Sequence, residues 1–196
     1  MKKTITIMVI IHSDLQDCKK NKLYADYFAW LKTELELISG REVLILMYHH
    51  DEAPKLAGYN YRNENEQAAL QGWRDLVHDL YSKTSNRDRD EANLTKYLLL
   101  TRDNINEQLG GVLGWIGGVA MFEGHCAIAS IGSYRTPAHE IGHMLGATHE
   151  DSEVVYDGWW HDTIMLSDEF SLARGNVYRF SDKNRENIRN YLNRFS

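Results

Sequence analysis

Three histidines and one glutamate are concentrated in a single short run, His139-Glu140-Ile141-Gly142-His143-Met144-Leu145-Gly146-Ala147-Thr148-His149. If this run is helical, His139 and His143 are four residues apart and their imidazoles project from the same face. Two ligands of one zinc ion require that spacing. Glu140 follows about 100° round the helix, where its carboxylate could take a proton from water and pass it to a leaving amine.

Gly146 follows the second histidine by three residues. Without a Cβ it can adopt a left-handed conformation, end the helix and turn the chain, so that His149 reaches the same metal. A continued helix would carry residue 149 further along the axis, at about 1.5 Å per residue. Three neutral imidazoles leave the fourth tetrahedral position for water, the arrangement of a catalytic zinc. The sequence therefore predicts one catalytic zinc ion on His139, His143 and His149, with Glu140 as general base in peptide-bond hydrolysis.

The alternative is that these residues share this spacing by chance, because a lone histidine is more often an ordinary surface or core residue than a ligand. Three histidines, one glutamate and one glycine at fixed spacing should occur by chance in roughly one shuffled chain in 10⁴ of this composition. The helix itself is expected to begin with Thr136 as N-cap and Pro137 in the first position. Ile141, Met144 and Leu145 fall away from the histidine face and can be buried.

Strands and helices alternate along the rest of the chain. Apolar runs predict strands at residues 4–11, 42–48, 96–101 and 126–131, and helical periodicity predicts helices at 20–38, before Gly40, and at 64–81. This order predicts an α/β fold with a mostly parallel sheet covered by helices. The charged run at 83–91 is expected to be a solvated loop, and the glycine-dense segment 110–124 interrupts the alternation.

Composition limits the classes of protein to which the chain can belong. Its 196 residues are 43% hydrophobic and 26% charged, with only two prolines, which predicts one globular domain spanning 1–196. The net charge of −6 argues against nucleic-acid binding, and no apolar run approaches the ~20 residues needed to span a bilayer. We expect a monomer whose partner is a protein or peptide substrate.

The N-terminus and the cysteines leave two questions open. Lys2 and Lys3 precede a short apolar stretch, as in a signal peptide, but polar residues follow Ile11 at once and no cleavage site is recognisable, which favours a buried strand. Export without a cleaved signal, as a toxin or effector, is one hypothesis, and a cytoplasmic enzyme is the alternative. Cys18 and Cys126 could form one disulfide, although two buried free thiols are the simpler expectation.

The histidine run resembles the metzincin metalloendopeptidases, whose pattern is His-Glu-x-x-His-x-x-Gly-x-x-His followed by a methionine turn. Met165, in the context Asp162-Thr163-Ile164-Met165-Leu166-Ser167, matches that methionine, and the resemblance implies that it lies beneath the histidines as a hydrophobic floor. From about residue 96 onward the chain looks closest to the reprolysin or ADAM-like branch and its bacterial relatives. The step through Arg179-Phe180-Ser181 into a terminal helix, expected at 182–195, is similar to the C-terminal part of proteins in that branch.

The resemblance also implies the architecture and the substrate site. It implies a twisted sheet with an antiparallel edge strand, and an upper subdomain of about residues 1–146. A lower subdomain of about 147–196 would hold the third ligand, the methionine turn and the last helix. Leu113, Gly114, Trp115 and Ile116 would form the edge strand and bind substrate main chain to main chain. Trp115 could equally be a core residue.

Two positions depart from the family pattern. Glu150 follows the third histidine where reprolysins usually carry aspartate, and Ser167 stands where astacins and serralysins place a tyrosine. Among the neighbouring residues, Tyr134, Tyr156, Trp159 and Trp160 could line the pocket or the core. His161 and the pair His49-His50 are interpreted as surface residues rather than further ligands, because the site of three histidines is complete without them.

Two rival functions accompany the endopeptidase. A narrow amidase or peptidase would cleave a single target, and breadth of cleavage distinguishes it. A zinc-holding scaffold would bind a partner along its edge strand without catalysis, and an intact Glu140 argues against it.

Overall fold

The fold is built on buried strands, as the apolar runs predict. A computed structural model describes residues 2–81, 88–107, 115–166 and 174–196. The strands are β1 Ile5–Ile11, β2 Val43–Tyr48, β3 Thr95–Thr101, β4 Asn106–Glu107, β5 Trp115–Ile116, β6 Gly118–Ala120, β7 Cys126–Ser130, β8 Val154–Tyr156, β9 Trp160–Asp162 and β10 Gly175–Asn176. The helices are α1 Lys20–Leu23, α2 Ala29–Ser39, α3 Pro54–Ala57, α4 Glu66–Tyr81, α5 Arg89–Leu94, α6 Thr136–Met144 and α7 Asp182–Leu192.

The main sheet has five strands in the order β2-β1-β3-β7-β6. The first four are parallel and β6 runs antiparallel to β7 at one edge. The mixed α/β fold with a mostly parallel sheet and an antiparallel edge strand is therefore confirmed. The strands β1, β3 and β7 are almost wholly buried, which explains why their sequences are nearly continuous apolar runs.

Alternate residues of β1 face two separate layers of core. Ile5, Ile7, Val9 and Ile11 pack in the layer that contains α2, α6 and α7, while Met8 and Ile10 pack with α3 and α4 on the other side. Both faces of the sheet are thus covered by helices. In the described ranges, none of the helices combines the length and the apolar character needed to cross a membrane.

The edge strand lies further along the chain than predicted. Gly118–Ala120 pairs with β7, whereas Trp115 and Ile116 pair with Asn106–Glu107 in a separate two-stranded ladder. Leu113 and Gly114 lie outside the described residues. The resemblance placed the edge strand at residues 113–116, and this was wrong for Trp115 and Ile116; a three-residue strand that begins with glycine carries no sequence pattern of its own.

Smaller differences concern a loop, a helix and the cysteines. Helix α5 occupies part of the expected loop at 83–91, because the side chain of Asp88 caps it by accepting from the Glu91 N–H. The expected helix at 20–38 contains a π-helical turn, Tyr24–Phe28, and ends at Gly40 with φ +60°. Cys18 and Cys126 are both free thiols, but Cys18 is only partly buried.

Candidate active site

Helix α6 carries two of the three histidines and begins one residue earlier than expected. Thr136 is its first residue rather than its N-cap, and Pro137 is the second, where the missing N–H is not needed. A turn at Ser133 precedes the helix: its Oγ accepts from the Arg135 N–H at 3.2 Å and its carbonyl accepts from the Thr136 N–H at 3.2 Å. The N-cap is Arg135, whose side chain makes no capping hydrogen bond, so the sequence carries no capping signal for this start.

The end of α6 confirms the predicted turn at Gly146. The helix stops at Met144, and Gly146 has φ +92°, a left-handed conformation that favours glycine. The Ala147 N–H donates to the Gly142 carbonyl at 2.9 Å and the Gly146 N–H to the His143 carbonyl at 3.1 Å. This pair of bonds is a Schellman motif, which satisfies the last carbonyls of the helix and redirects the chain toward residue 149.

The three histidines converge at their Nε2 atoms. The distances are 2.8 Å between His139 and His149, 3.0 Å between His143 and His149, and 3.2 Å between His139 and His143. Within the described part of the chain, these three residues form the one group of ligand type close enough to hold a single ion. The fold therefore brings together the three histidines whose spacing in the sequence predicted a shared metal site.

The other ring nitrogens of the two helical histidines are bonded to the main chain. Nδ1 of His139 lies 3.0 Å from the Ile164 carbonyl oxygen, and Nδ1 of His143 lies 3.0 Å from the Ala147 carbonyl oxygen. A carbonyl only accepts, so each Nδ1 must carry the proton and each Nε2 presents a lone pair. Backbone carbonyls hold metal-binding histidines in this way in many proteins.

A cation fits this donor set on chemical grounds. The Nε2 atoms of His139 and His143 are 3.2 Å apart with no proton between them, an arrangement that a shared cation satisfies. Burial lowers the pKa of His139 to about 3, with the nearby His143 as a further cause, and burial also lowers the pKa of His143. Both rings are therefore neutral at physiological pH, as metal binding requires. Three imidazoles suit zinc, among other transition metals.

Glu140 lies on the same helix and is 5% exposed. Its side chain lines the cleft beside His139 and His149. Burial raises the pKa of its carboxyl to about 8. A divalent cation held by the neighbouring histidines would favour the charged carboxylate and oppose that shift. A carboxylate in this position can accept a proton from a group in the cleft.

Met165 is fully buried beneath α6. A Cβ added to Gly142 would lie 2.8 Å from the Met165 sulfur and 2.7 Å from Cε1 of Phe180, so both side chains press against the helix at its glycine. Support of the histidines by Met165 as a hydrophobic floor stays a prediction. Phe180, which is also fully buried, was missed as a second contact from beneath.

Arg135 joins the start of α6 to the segment around Met165 and was not predicted. Its guanidinium donates to the carbonyl oxygens of Thr163, at 3.2 Å, and of Leu166. It also donates to Oδ1 of Asn176 at 2.8 Å and lies 3.7 Å from the buried carboxylate of Asp162. The acceptors are mostly main-chain atoms far along the chain, so no sequence pattern could have identified them.

The cleft has two halves that meet at the histidines. One half, of about 580 Å³, is lined by α4, β6 and the histidines and includes Glu66, Phe122 and Glu150. The other, of about 500 Å³, includes Arg135, Thr136 and Leu166. The residues shared by both halves are Ile116, Gly118, His139, Glu140 and His149. Of the predicted substrate residues, Ile116 therefore lines the cleft, and nothing is described for the side chain of Trp115.

The remaining sequence candidates lie apart from the histidine group. His161 belongs to β9 rather than to a loop, is partly buried, and its Nδ1 lies 3.0 Å from Oδ1 of Asp157. The rings of Tyr156 and Trp160 pack together, 4.9 Å apart, and both are more than half exposed. Tyr134 packs against Tyr178, with ring centroids 5.0 Å apart. His49 and His50 follow the end of β2, and Trp159 is exposed.

Two solved structures of other proteins share this fold. The structure is similar to metalloproteinase-II from Bacteroides fragilis, with a TM-score of 0.60 and 19% identity over 96% of this chain and 53% of that one. It is also similar to a zinc-dependent peptidase from Methanocorpusculum labreanum, with a TM-score of 0.52 and 17% identity over 93% of this chain and 99% of that one. These identities show a likeness of fold, and the chain spans about half the length of the Bacteroides protein.

The family itself is shown by sequence. No curated protein sequence matches the chain. The sequence model of the metallo-peptidase family M12B, reprolysin-like, matches residues 60–194, and so begins upstream of residue 96, where the resemblance was expected to begin. This range includes the residues that line both halves of the cleft, the three histidines and Met165. The chain belongs to the reprolysin-like metallo-peptidase family M12B.

Proposed function

We propose that the chain is a zinc-dependent endopeptidase. The observation that carries this proposal is the convergence of three histidine Nε2 atoms beside a buried carboxylate, at the junction of two halves of one cleft. Membership of the family supports it. When bound, zinc supplies a Lewis acid that polarises a carbonyl and lowers the pKa of water from 15.7 to about 7.

The chain's own residues have separate tasks in this proposal. His139, His143 and His149 would hold one zinc ion through Nε2. Glu140 would take the proton of the attacking water and give it to the leaving amine, so its carboxylate is needed twice in each cycle. Met165 would support the histidines from beneath.

The substrate would lie extended along β6. This strand pairs with β7 on one side, and its residues Gly118, Val119 and Ala120 line the cleft. An exposed strand edge offers N–H and C=O groups to which an extended peptide can bind as an added strand. We therefore assign main-chain recognition to β6 and to Ile116 at the junction of the two halves. Substrate binding by Leu113, Gly114 and Trp115 stays a prediction.

Replacement of Glu140 tests the proposal directly. Glu140→Ala should retain zinc and the melting temperature of the parent but lower turnover by roughly 10²–10⁴, the range for losing a general base. The measurements are zinc content by mass spectrometry, thermal unfolding and cleavage of denatured casein with and without a chelator. Cleavage by Glu140→Ala at the parent rate would disprove the mechanism.

Mapping of cleavage sites separates this function from its rivals. A whole-proteome digest with the parent, compared with Glu140→Ala, should show many sites for a general endopeptidase and very few for a narrow amidase or peptidase. A scaffold that only binds would show none. Export as an effector stays a prediction from the sequence, and fractionation of a producing culture tests it: confinement to the cytosol under every growth condition would refute it.

A further inference from the structure

Gly118 is a glycine whose backbone does not require one. It begins β6, pairs with Ala129 of β7, and is not among the glycines with positive φ in the described residues, which are Gly40, Gly146 and Gly158. Glycine in a strand costs stability, because it orders a flexible backbone and contributes no side chain to the packing. The reason for glycine at this position must therefore be the space that a side chain would fill.

That space is occupied by Glu140. A Cβ built on Gly118 would lie 2.6 Å from Oε1, 2.7 Å from Cγ and 2.9 Å from Cδ of the glutamate. Carbon atoms in van der Waals contact are about 3.5–4.0 Å apart, so these positions are mutually exclusive. The main chain of β6 thus forms the wall against which the carboxyl group of Glu140 rests.

The atoms that would have to move belong to one side chain, that of Glu140, from Cγ outward. An added methyl group at residue 118 meets no backbone atom among its three nearest neighbours, so the strand and the helix can keep their positions while the carboxylate moves away. Gly118 and Glu140 both line the two halves of the cleft, so this movement would occur at the junction where the scissile bond is proposed to lie. The fold would survive, but the geometry of proton transfer would not.

We propose that Gly118 is a positioning residue that sets the location of the Glu140 carboxylate. This inference rests on the proposed function, because it takes Glu140 to be the general base. It states that contact with the edge strand holds the carboxylate where proton transfer requires it. This positioning role is separate from the binding of substrate by the main chain of β6. Main-chain binding uses the N–H and C=O groups of residue 118, which alanine would also provide, whereas positioning depends on the missing Cβ.

The first test compares two glycine substitutions. Gly118→Ala should lower kcat by about 10²-fold, the effect of misplacing a catalytic group by about 1 Å, with KM unchanged within error. Zinc content, melting temperature and the visible spectrum of the cobalt-substituted enzyme should match those of the parent. Gly132→Ala is the matched control, because its added Cβ has no neighbour nearer than 3.4 Å and the residue is exposed. It should behave as the parent.

A double-mutant cycle with Glu140→Ala identifies the route of the effect. If Gly118 acts through the glutamate, Gly118→Ala should cause no further loss of kcat once residue 140 is alanine. If the methyl group instead hinders substrate, the two losses add or KM rises, and the inference is overturned. Loss of zinc, a fall in melting temperature or an unchanged kcat in Gly118→Ala overturns it as well. A Glu140→Ala variant that keeps full activity would refute the proposed function itself, whatever the behaviour of Gly118→Ala.

Discussion

Nδ1 of His139 and the main chain of Ile164 are 3.0 Å apart, although the two residues are separated by 25 positions in the sequence. The acceptor is a backbone oxygen, so the ring depends on the path of the chain and not on the side chain at position 164. Met165 follows immediately and packs against α6 at Gly142. The segment that carries Met165 therefore also fixes the tautomer and the orientation of the first histidine.

Removal of one histidine should remove the metal and the stability coupled to it. For the parent, a chelator should lower the melting temperature, because an ion present at 1,000 times its Kd stabilises the folded state by about 4 kcal/mol. His143→Ala should contain no zinc and should melt at the same temperature with or without chelator. His161→Ala is the control, because that histidine lies outside the group of three. A chelator-sensitive His143→Ala would contradict this assignment.

Much of the site could be predicted because its geometry is local. Four residues separate His139 from His143, and helix geometry converts that spacing into a shared face without any knowledge of the rest of the fold. The turn at Gly146 is equally local, since its two hydrogen bonds span only a few residues. The buried strands were predictable for a similar reason, because burial on both faces makes them continuous apolar runs.

The rest of the site depends on contacts between distant parts of the chain. Arg135 is held by carbonyl oxygens about 30 residues away, and backbone oxygens are the same in every residue. The approach of Gly118 to Glu140 depends on how the edge strand crosses the helix, which neither residue encodes alone. The edge strand was predicted at the apolar residues before Gly118 but lies at Gly118–Ala120. Its position also depends on a distant contact, because these residues pair with β7.

Alanine at Gly146 should weaken the third ligand. Its φ of +92° is strained for any residue with a Cβ, and the new atom would lie 3.3 Å from Cβ of Tyr191, so we expect a loss of about 1–2 kcal/mol in the free energy of unfolding. Because His149 follows this turn, zinc affinity should fall as well. Both are measured by denaturant unfolding and by competition with a zinc chelator.

Gly40→Ala is the matched control for that prediction. Gly40 also has a left-handed backbone, with φ +60°, and its Cβ would meet only the Lys2 ammonium at 3.7 Å. This variant should lose stability to a similar extent and keep the parent's zinc affinity. Equal losses of zinc affinity in the two variants would show that the turn at Gly146 has no special relation to the metal.

The ion pair between Glu34 and Arg185 should contribute strongly to stability. Glu34 is 6% exposed; its carboxylate accepts from Arg185 at 2.6 and 2.8 Å and from the Phe180 N–H at 3.0 Å. Glu34→Ala leaves a partly buried guanidinium and an N–H without their acceptor, so unfolding should become easier by about 3 kcal/mol. Asp26→Ala breaks the exposed pair with Lys22 and should cause no measurable change. Equal effects of the two variants would contradict the prediction.

Lys96 should make stability depend on pH in the neutral range. It is fully buried, its Nζ donates to the Gly124 carbonyl at 2.7 Å and to the Tyr191 hydroxyl at 2.8 Å, and burial lowers its pKa from 10.5 to about 7. Between these two values the unfolded chain binds more protons than the folded one, so the free energy of unfolding should rise with pH. Below about pH 7 both states are protonated and this contribution no longer changes.

The window from pH 7 to 9 isolates that effect when every chain compared also carries Glu140→Gln, because burial raises the pKa of the Glu140 carboxyl to about 8 and its titration acts in the opposite direction up to that pH. Above pH 9 the buried Cys126, whose pKa is raised to about 12 by burial, acts in the opposite direction, because only the unfolded chain then releases the thiol proton. Urea unfolding at several pH values should show a slope of at most about 1.4 kcal/mol per pH unit in the parent. Lys96→Met should remove that slope, while Lys55→Met, which removes an exposed charge, should keep it. A parent-like slope in Lys96→Met would show that another group is responsible.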